Sequence, residues 1–306
     1  MKVVVIGASG HVGAYLVDEL HARGHEVYAI MRGNRRPLGC SEIAWQTAEK
    51  VYMTREELYE SDVFKKINPD VVCDLIAYDL DGVKKVLQQI PPHAFYVQIG
   101  SIWTYEDKRY VPVDENHPKN STEEYGKQKG LIEDYLLDLA KNGKRKTTVV
   151  HPGHVSAKEW QPINPQGNLD LSVFEKLKNG EEVVLPYLGL PTLQHVHSRD
   201  LARVIATAAE NPDLSNGQAF ISVAEKAVTL RALCEHVAAR YGKKANLRYV
   251  EWEEFAHIVG KQNADCTLDH VAHSPCCTPE KAKRVLGVTH EYSIFDIFDE
   301  YLDAQR

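Results

Sequence analysis

Tyr125 precedes Lys129 by four residues in "EEYGKQKGLIEDYLL", and on a helix that spacing puts both side chains on one face while Lys127 points elsewhere. A phenol beside an ammonium can do acid–base work. A free tyrosine, with a pKa near 10, is protonated at neutral pH. A lysine ammonium about 4 Å away, at an effective dielectric near 20, favours phenolate by up to about 4 kcal/mol, enough to bring the phenol near neutrality. Taken alone, the pair reads more readily as an ordinary surface contact, because its spacing is a single constraint.

A second constellation stands at the start of the chain. Residues 2 to 6, "KVVVI", form a β-branched run followed by "GASGHVG" and then by Val12, Leu16 and Leu20 at helical spacing, ending at Gly24. Strand, glycine turn and helix in that order bind a dinucleotide: Gly7 permits the turn, Gly10 lets the backbone approach a pyrophosphate, and Gly13 allows close helix packing. The residues expected to face the cofactor here are Gly7, Ser9, Gly10, His11, Val12 and Gly13. The alternative is a turn whose glycines serve packing only. After the second apolar run, "EVYAIM" (26 to 31), an NAD site usually carries an acidic residue, whereas this chain has Arg32, with Arg35 and Arg36 beyond. A guanidinium there suits a 2′-phosphate, so NADP is favoured over NAD; the alternative is three solvated arginines.

Further buried strands are predicted at 70–78, 94–101 and 146–153, separated by helical stretches. Such alternation implies a doubly wound parallel α/β (Rossmann) sheet. The segment "AKEWQPINPQGNLD" after residue 156 reads as irregular structure of the kind that lines sites. Helices follow at "SRDLARVIATAAENP", with Ser198 as N-cap, and at "VTLRALCEHVAARYG", from a Thr229 cap to a Gly242 stop. The expected division is a dinucleotide-binding domain over 1–155 and a smaller, mainly substrate-binding region over 156–306, with about 192–222 returning to the first.

The bulk numbers limit the function classes. The 306 residues are 43% hydrophobic and 26% charged, as in a globular chain. A net charge of -7 argues against a nucleic-acid partner. No apolar run approaches the roughly 20 residues needed to span a membrane, and the glycines of "MKVVVIGASG" arrive too early for a signal-peptide core. Six cysteines without CxxC spacing fit free thiols in a reducing compartment, so a cytoplasmic location is expected.

Together these residues resemble the extended short-chain dehydrogenase/reductase superfamily, particularly its NAD-dependent epimerase/dehydratase-like branch. The resemblance covers nearly the whole chain and rests on "GASGHVG", "IGSIWTY", "YGKQK", "HPGHVSA" where the family usually has an Arg-Pro segment, "HVHSRDLAR" and "TPEKAKRVLG". It implies Ser101 as the catalytic serine, 24 residues before Tyr125 and at a strand end, where ligands of open α/β sheets sit. Tyr125 is then the acid/base of a hydride transfer, Lys129 also holds the nicotinamide ribose, and Ala77 and Pro152 join the cofactor contacts. Many relatives pair through the helix carrying Tyr and Lys, which implies a homodimer.

Departures from the family restrict the substrate. Ile102, Trp103 and Thr104 follow the serine, without the acidic pair of family dehydratases. No basic residue lies between Gly189 and Gln194, and "CTLDHVAHSPCC" contains no arginine, so the usual contacts to a nucleotide diphosphate are missing. Indole, amide and imidazole groups at Trp103, His154, Trp160, Asn164, Asn168 and His195 suit a small, hydroxylated, sugar-like ligand. Each is also readable as a loop or satisfied polar group. His195 with His197, and His270 with His273, have spacings that allow zinc without requiring it; no metal is expected. Epimerisation and net carbonyl reduction use the same triad, and both remain open. The alternatives are a nucleotide-sugar epimerase and a cofactor-bound sensor or RNA-binding relative that has lost catalysis.

Overall fold

The computed structural model describes residues 1–33, 37, 39–106, 110–273 and 276–305. Six successive strands, β1 (Lys2–Ile6), β2 (Glu26–Met31), β3 (Glu49–Tyr52), β4 (Val71–Asp74), β5 (Phe95–Ile99) and β6 (Thr147–Pro152), are joined at the β6 edge by the strand Gln218–Ser222. All seven pair in parallel, in the order Gln218–Ser222, β6, β5, β4, β1, β2, β3. Runs such as Val3, Val4 and Val5 are fully buried, as expected of strands covered on both faces. Helix α1 (His11–Ala22) and the helix Ser198–Glu210 cover one face through Leu16, Leu20, Leu201 and Ile205; helices Leu80–Gln89 and Glu124–Lys141 cover the other through Val83, Val86, Ile132 and Leu136.

A third core, built from Phe174, Leu185, Leu193, Leu233 and Phe298, sits among the elements that follow β6. It includes the helix Leu230–Arg240, which Thr229 caps by accepting from the Ala232 N–H. Among the described residues no helix is long and apolar enough to cross a membrane.

Two local expectations change. The strand read as 70–78 ends at Asp74, whose fully buried carboxylate accepts both guanidinium nitrogens of Arg55 at 2.9 Å, the Tyr96 hydroxyl at 2.8 Å and the Ile76 N–H at 3.2 Å. These bonds draw the chain out of the ladder, so Leu75, Ile76 and Tyr78 face a crevice instead. The helix Ser198–Glu210 is capped by His197, not Ser198: the imidazole Nδ1 accepts from the Arg199 N–H at 3.1 Å.

Candidate functional site

The strand order reverses between β1 and β4, because the chain leaves β1 toward β2 and β4 toward β5 on the opposite side. A crevice opens there at the carboxyl ends of the strands. Gly7 turns the chain out of β1 with φ +91°, and Gly10 caps α1 without any side-chain acceptor. The first N–H groups of the helix therefore remain available to an anion. A Cβ on Gly13 would stand 2.2 Å from the Gly7 carbonyl oxygen, so only glycine lets the helix start this close to the turn. This seat fits the pyrophosphate of a dinucleotide.

From the glycine turn a cavity of about 500 Å³ runs past Arg32, Met53, Thr54 and Leu58. A second, of about 390 Å³, runs the other way past Ser101, Trp103, Tyr125, Lys129, Pro152 and His154. Gly7, Gly10, Ile76, Tyr78 and Trp160 line both, which makes them one elongated groove.

Lys129 is only 2% exposed, on the inner face of the helix Glu124–Lys141, and donates to the carbonyls of Ala77 (2.8 Å) and Ile99 (2.9 Å). Burial pulls its ammonium down to about 8, with Asp74 partly restoring it. Tyr125, one turn earlier, is 40% exposed at the groove wall, with Ser101 beside its hydroxyl. Its ring centre lies 5.6 Å from Lys129 Nζ. The lowered phenol expected from the i,i+4 pair does not occur in this arrangement. Desolvation dominates and pushes Tyr125 up, while the ammonium is committed to two carbonyls. At neutral pH the pair is thus a phenol beside an ammonium, set to donate a proton.

Beyond Tyr125, Trp103 and His154 line the groove and a layer of histidines packs behind them. Trp103 stacks on His273 at 4.7 Å and meets Tyr125 and His270 edge-on. His154 lies 5.2 Å from His195 and 5.8 Å from His270, ring centre to ring centre. Burial, then mutual repulsion, pushes His154 down to about 3 and His195 well below its usual range, and burial also lowers His270. These imidazoles are neutral hydrogen-bonding groups at neutral pH. Among the described residues lining this half of the groove, Lys129 is the one lysine or arginine.

The other expected residues divide between the groove and the layer behind it. Ser9, His11, Val12 and Pro152 border the groove, whereas Ala77, expected there too, is fully buried with its carbonyl bound to Lys129. Trp160 is placed over the glycine turn, 4.4 Å from the His11 ring, rather than beside Tyr125. Asn164 and Asn168 lie behind the wall: fully buried, they bond to each other, to the Gln166 N–H, to the Asp170 carbonyl and to Thr267. His195 is likewise buried, its Nε2 accepting from the Ile163 N–H. Arg35 and Arg36 lie outside the described residues. His197 pairs with Glu300, and among the described residues no group of three or more His, Cys, Asp or Glu is arranged for a metal. The sequence reading missed Tyr78, whose ring lies 5.4 Å from Lys129 Nζ, and it left the position of His270 and His273 open. Only the early end of β4 could have exposed Tyr78.

Comparison with known proteins agrees with this architecture. The model of the NAD dependent epimerase/dehydratase family matches residues 3–224. UDP-glucose 4-epimerase of Drosophila melanogaster is 22% identical over 244 residues, covering 67% of this chain and 70% of that protein. The chloroplast stem-loop binding protein of 41 kDa b of Arabidopsis thaliana is 24% identical over 316 residues, covering 100% of this chain and 80% of that protein. In fold, the chain is similar to a UDP-glucose-4-epimerase from Stenotrophomonas maltophila solved with bound NAD and formylated UDP-arabinopyranose, with TM-score 0.77, 16% identity and coverage of 100% and 98%. The strand–glycine turn–helix seat, the parallel sheet and the match over residues 3–224 lead to one conclusion: this chain belongs to the NAD dependent epimerase/dehydratase family.

Proposed function

We propose that the chain transfers hydride at a secondary alcohol or ketone of a small, hydroxylated, sugar-like substrate that carries no nucleotide diphosphate. The observation that carries this reading is the meeting of Ser101, Tyr125 and Lys129 in the groove half continuous with the glycine turn. The nicotinamide cofactor would supply and accept the hydride. Gly7, Gly10 and Gly13 would hold its pyrophosphate, and Arg32 and Thr54 would face its adenosine end. Tyr125 exchanges the proton with the substrate oxygen, Ser101 orients that oxygen, and Lys129 fixes the groove floor through Ala77 and Ile99. On this reading residues 1–155 mainly bind the cofactor, and those beyond, apart from the returning strand, mainly shape the substrate end.

The neutral imidazole and indole wall supports an uncharged ligand, because a diphosphate without partner cations would be poorly compensated there. The test is a panel of neutral sugars, polyols, sugar acids and UDP-glucose, followed by reduced-nicotinamide absorbance and by product analysis. A neutral sugar converted faster than UDP-glucose is expected; the reverse order overturns this substrate class. Conversion without net cofactor change identifies an epimerase. Tight, salt-dependent RNA binding without any turnover would instead favour the activity named for the chloroplast relative.

The preference for NADP rests on Arg32, exposed at the end of β2 and lining the groove, whereas Arg55 is committed to Asp74. Arg32→Ala should weaken NADPH about tenfold or more, as loss of a charged hydrogen bond implies, and leave NADH unchanged. Equal loss for both cofactors, or wild-type NADH binding as tight as NADPH, would remove the preference.

A further inference from the structure

Behind Ser101 lies a buried chain of charged groups that the hydride transfer does not use. His151, fully buried on β6, places Nε2 2.8 Å from Glu133 Oε2 and Nδ1 2.9 Å from the Ser101 backbone nitrogen. The same Nδ1 is 3.0 Å from the Ser101 carbonyl oxygen. Glu133, on the helix that carries Tyr125 and Lys129, also accepts from Lys119 Nζ at 2.9 Å. Gly100 makes room for the ring: a Cβ there would fall 2.2 Å from Nδ1.

One nitrogen faces a donor and an acceptor, and it cannot serve both at once. Burial alone would raise Glu133, but His151 and Lys119 outweigh it and hold the carboxyl at about 2. Glu133 is therefore an acceptor at any working pH, and Nε2 carries a proton. In the neutral ring Nδ1 is then an acceptor and takes the Ser101 N–H. In the imidazolium Nδ1 is a donor and takes the Ser101 carbonyl instead. We propose that His151, held by Glu133, is a positioning residue for Ser101 and that the proton on its Nδ1 selects which backbone group of the serine it grips. The consequence for catalysis rests on the reading of Ser101 above: the serine Oγ, which accepts from the Trp103 N–H at 3.2 Å and faces Tyr125, turns with that backbone.

Other charged groups surround the pair, among them Asp134, which also binds Lys119. Besides Glu133 and Lys119, Glu115 lies in the loop ahead of the helix, its carboxylate accepting from the Ile221 N–H at 2.7 Å and sensing His151. Lys281, on the helix Glu280–Leu286, faces Glu115 and Glu133. The Tyr105 ring stands 5.6 Å from the imidazole, edge-on, in one core cluster with Cys277.

Nitrogen-15 NMR of the full chain tests the switch without a substrate. The His151 ring should show a protonated Nε2 and an accepting Nδ1 at high pH, and the Ser101 amide resonance should move with the His151 titration. In Glu133→Gln, where the carboxylate no longer fixes the proton on Nε2, the Ser101 amide should take a different position already at high pH. In His151→Asn, checked for folding by NADH binding, the amide should no longer move in that range. A Ser101 amide indifferent to His151, an unaltered response in His151→Asn, or a His151 that does not titrate while the chain stays folded overturns the proposal. Unchanged turnover in Tyr125→Phe would instead overturn the reading of the catalytic site and leave this coupling intact.

Discussion

Replacing Tyr125 with phenylalanine should lower turnover of whichever sugar the panel identifies by about 10³-fold, the usual scale of positioned proton transfer, while cofactor affinity stays within a factor of about three, since the ring and its groove contacts remain. The hydroxyl is the only part removed, and it faces Ser101 at the groove wall. Turnover within tenfold of the parent would remove Tyr125 from the chemistry. The pH profile adds a second check. Tyr125 is pushed up by burial and stays protonated through neutrality, whereas Lys129 loses its proton near pH 8. Ketone reduction should therefore fall above about pH 8, as the ammonium disappears before the phenol ionises. Stability runs the other way. The unfolded lysine binds its proton more tightly than the folded one, so the cost of burying the charge is fully present below about pH 8 and is relieved as pH rises toward 10.5.

The parts of this structure that were legible from the sequence are those governed by near neighbours. β1 and β2 begin and end where the runs 2–6 and 26–31 do, and Val12, Leu16 and Leu20 are all buried in the core against the sheet. Lys129 and Tyr125 share a helix, yet the i,i+4 rule says nothing of depth, and one turn separates a 2% exposed lysine from a 40% exposed tyrosine. The expected electrostatics invert because the deep ammonium is spent on two carbonyls, while the inward part of the phenol is desolvated. What escaped the sequence reading depends on partners far along the chain. Asp74 ends β4 because Arg55 and Tyr96 reach it, 19 residues before and 22 after. Asn164 and Asn168 had the residue types of sugar ligands, but the hydrogen bonds a loop needs when it is buried consume them first. His151 and Glu133 show the converse case: Glu133 follows Lys129 at i+4 on the buried face, a signal that was present, but its partner comes from another strand 18 residues later.

The glycine turn offers a sharper test, because its three glycines are held by different constraints. A Cβ on Gly13 would lie 2.2 Å from the Gly7 oxygen and 2.7 Å from Ala8 Cα, both backbone atoms that cannot rotate away. The turn itself cannot retreat cheaply, since the Gly7 and Ala8 N–H groups both donate to the Ile30 carbonyl at 3.0 and 3.2 Å, and Gly10 N–H donates to Gly7 at 3.1 Å. Gly13→Ala must therefore tilt α1 or break the tie to β2, at the ~1–3 kcal/mol typical of overpacking. A Cβ on Gly10 meets only the Gly7 oxygen, at 3.3 Å, which a shift of a few tenths of an ångström relieves. Gly13→Ala should thus lower the Tm of the cofactor-free chain by about 5 °C and weaken NADH about 100-fold in a fluorescence titration, because the helix N–H groups lose their alignment. Gly10→Ala should leave Tm within about 1 °C and still weaken NADH, because its Cβ occupies the approach to the pyrophosphate and not the packing beneath it. Equal Tm losses in the two variants would mean that the turn is held by packing alone, and unchanged NADH binding in Gly10→Ala would mean that no anion approaches the start of α1.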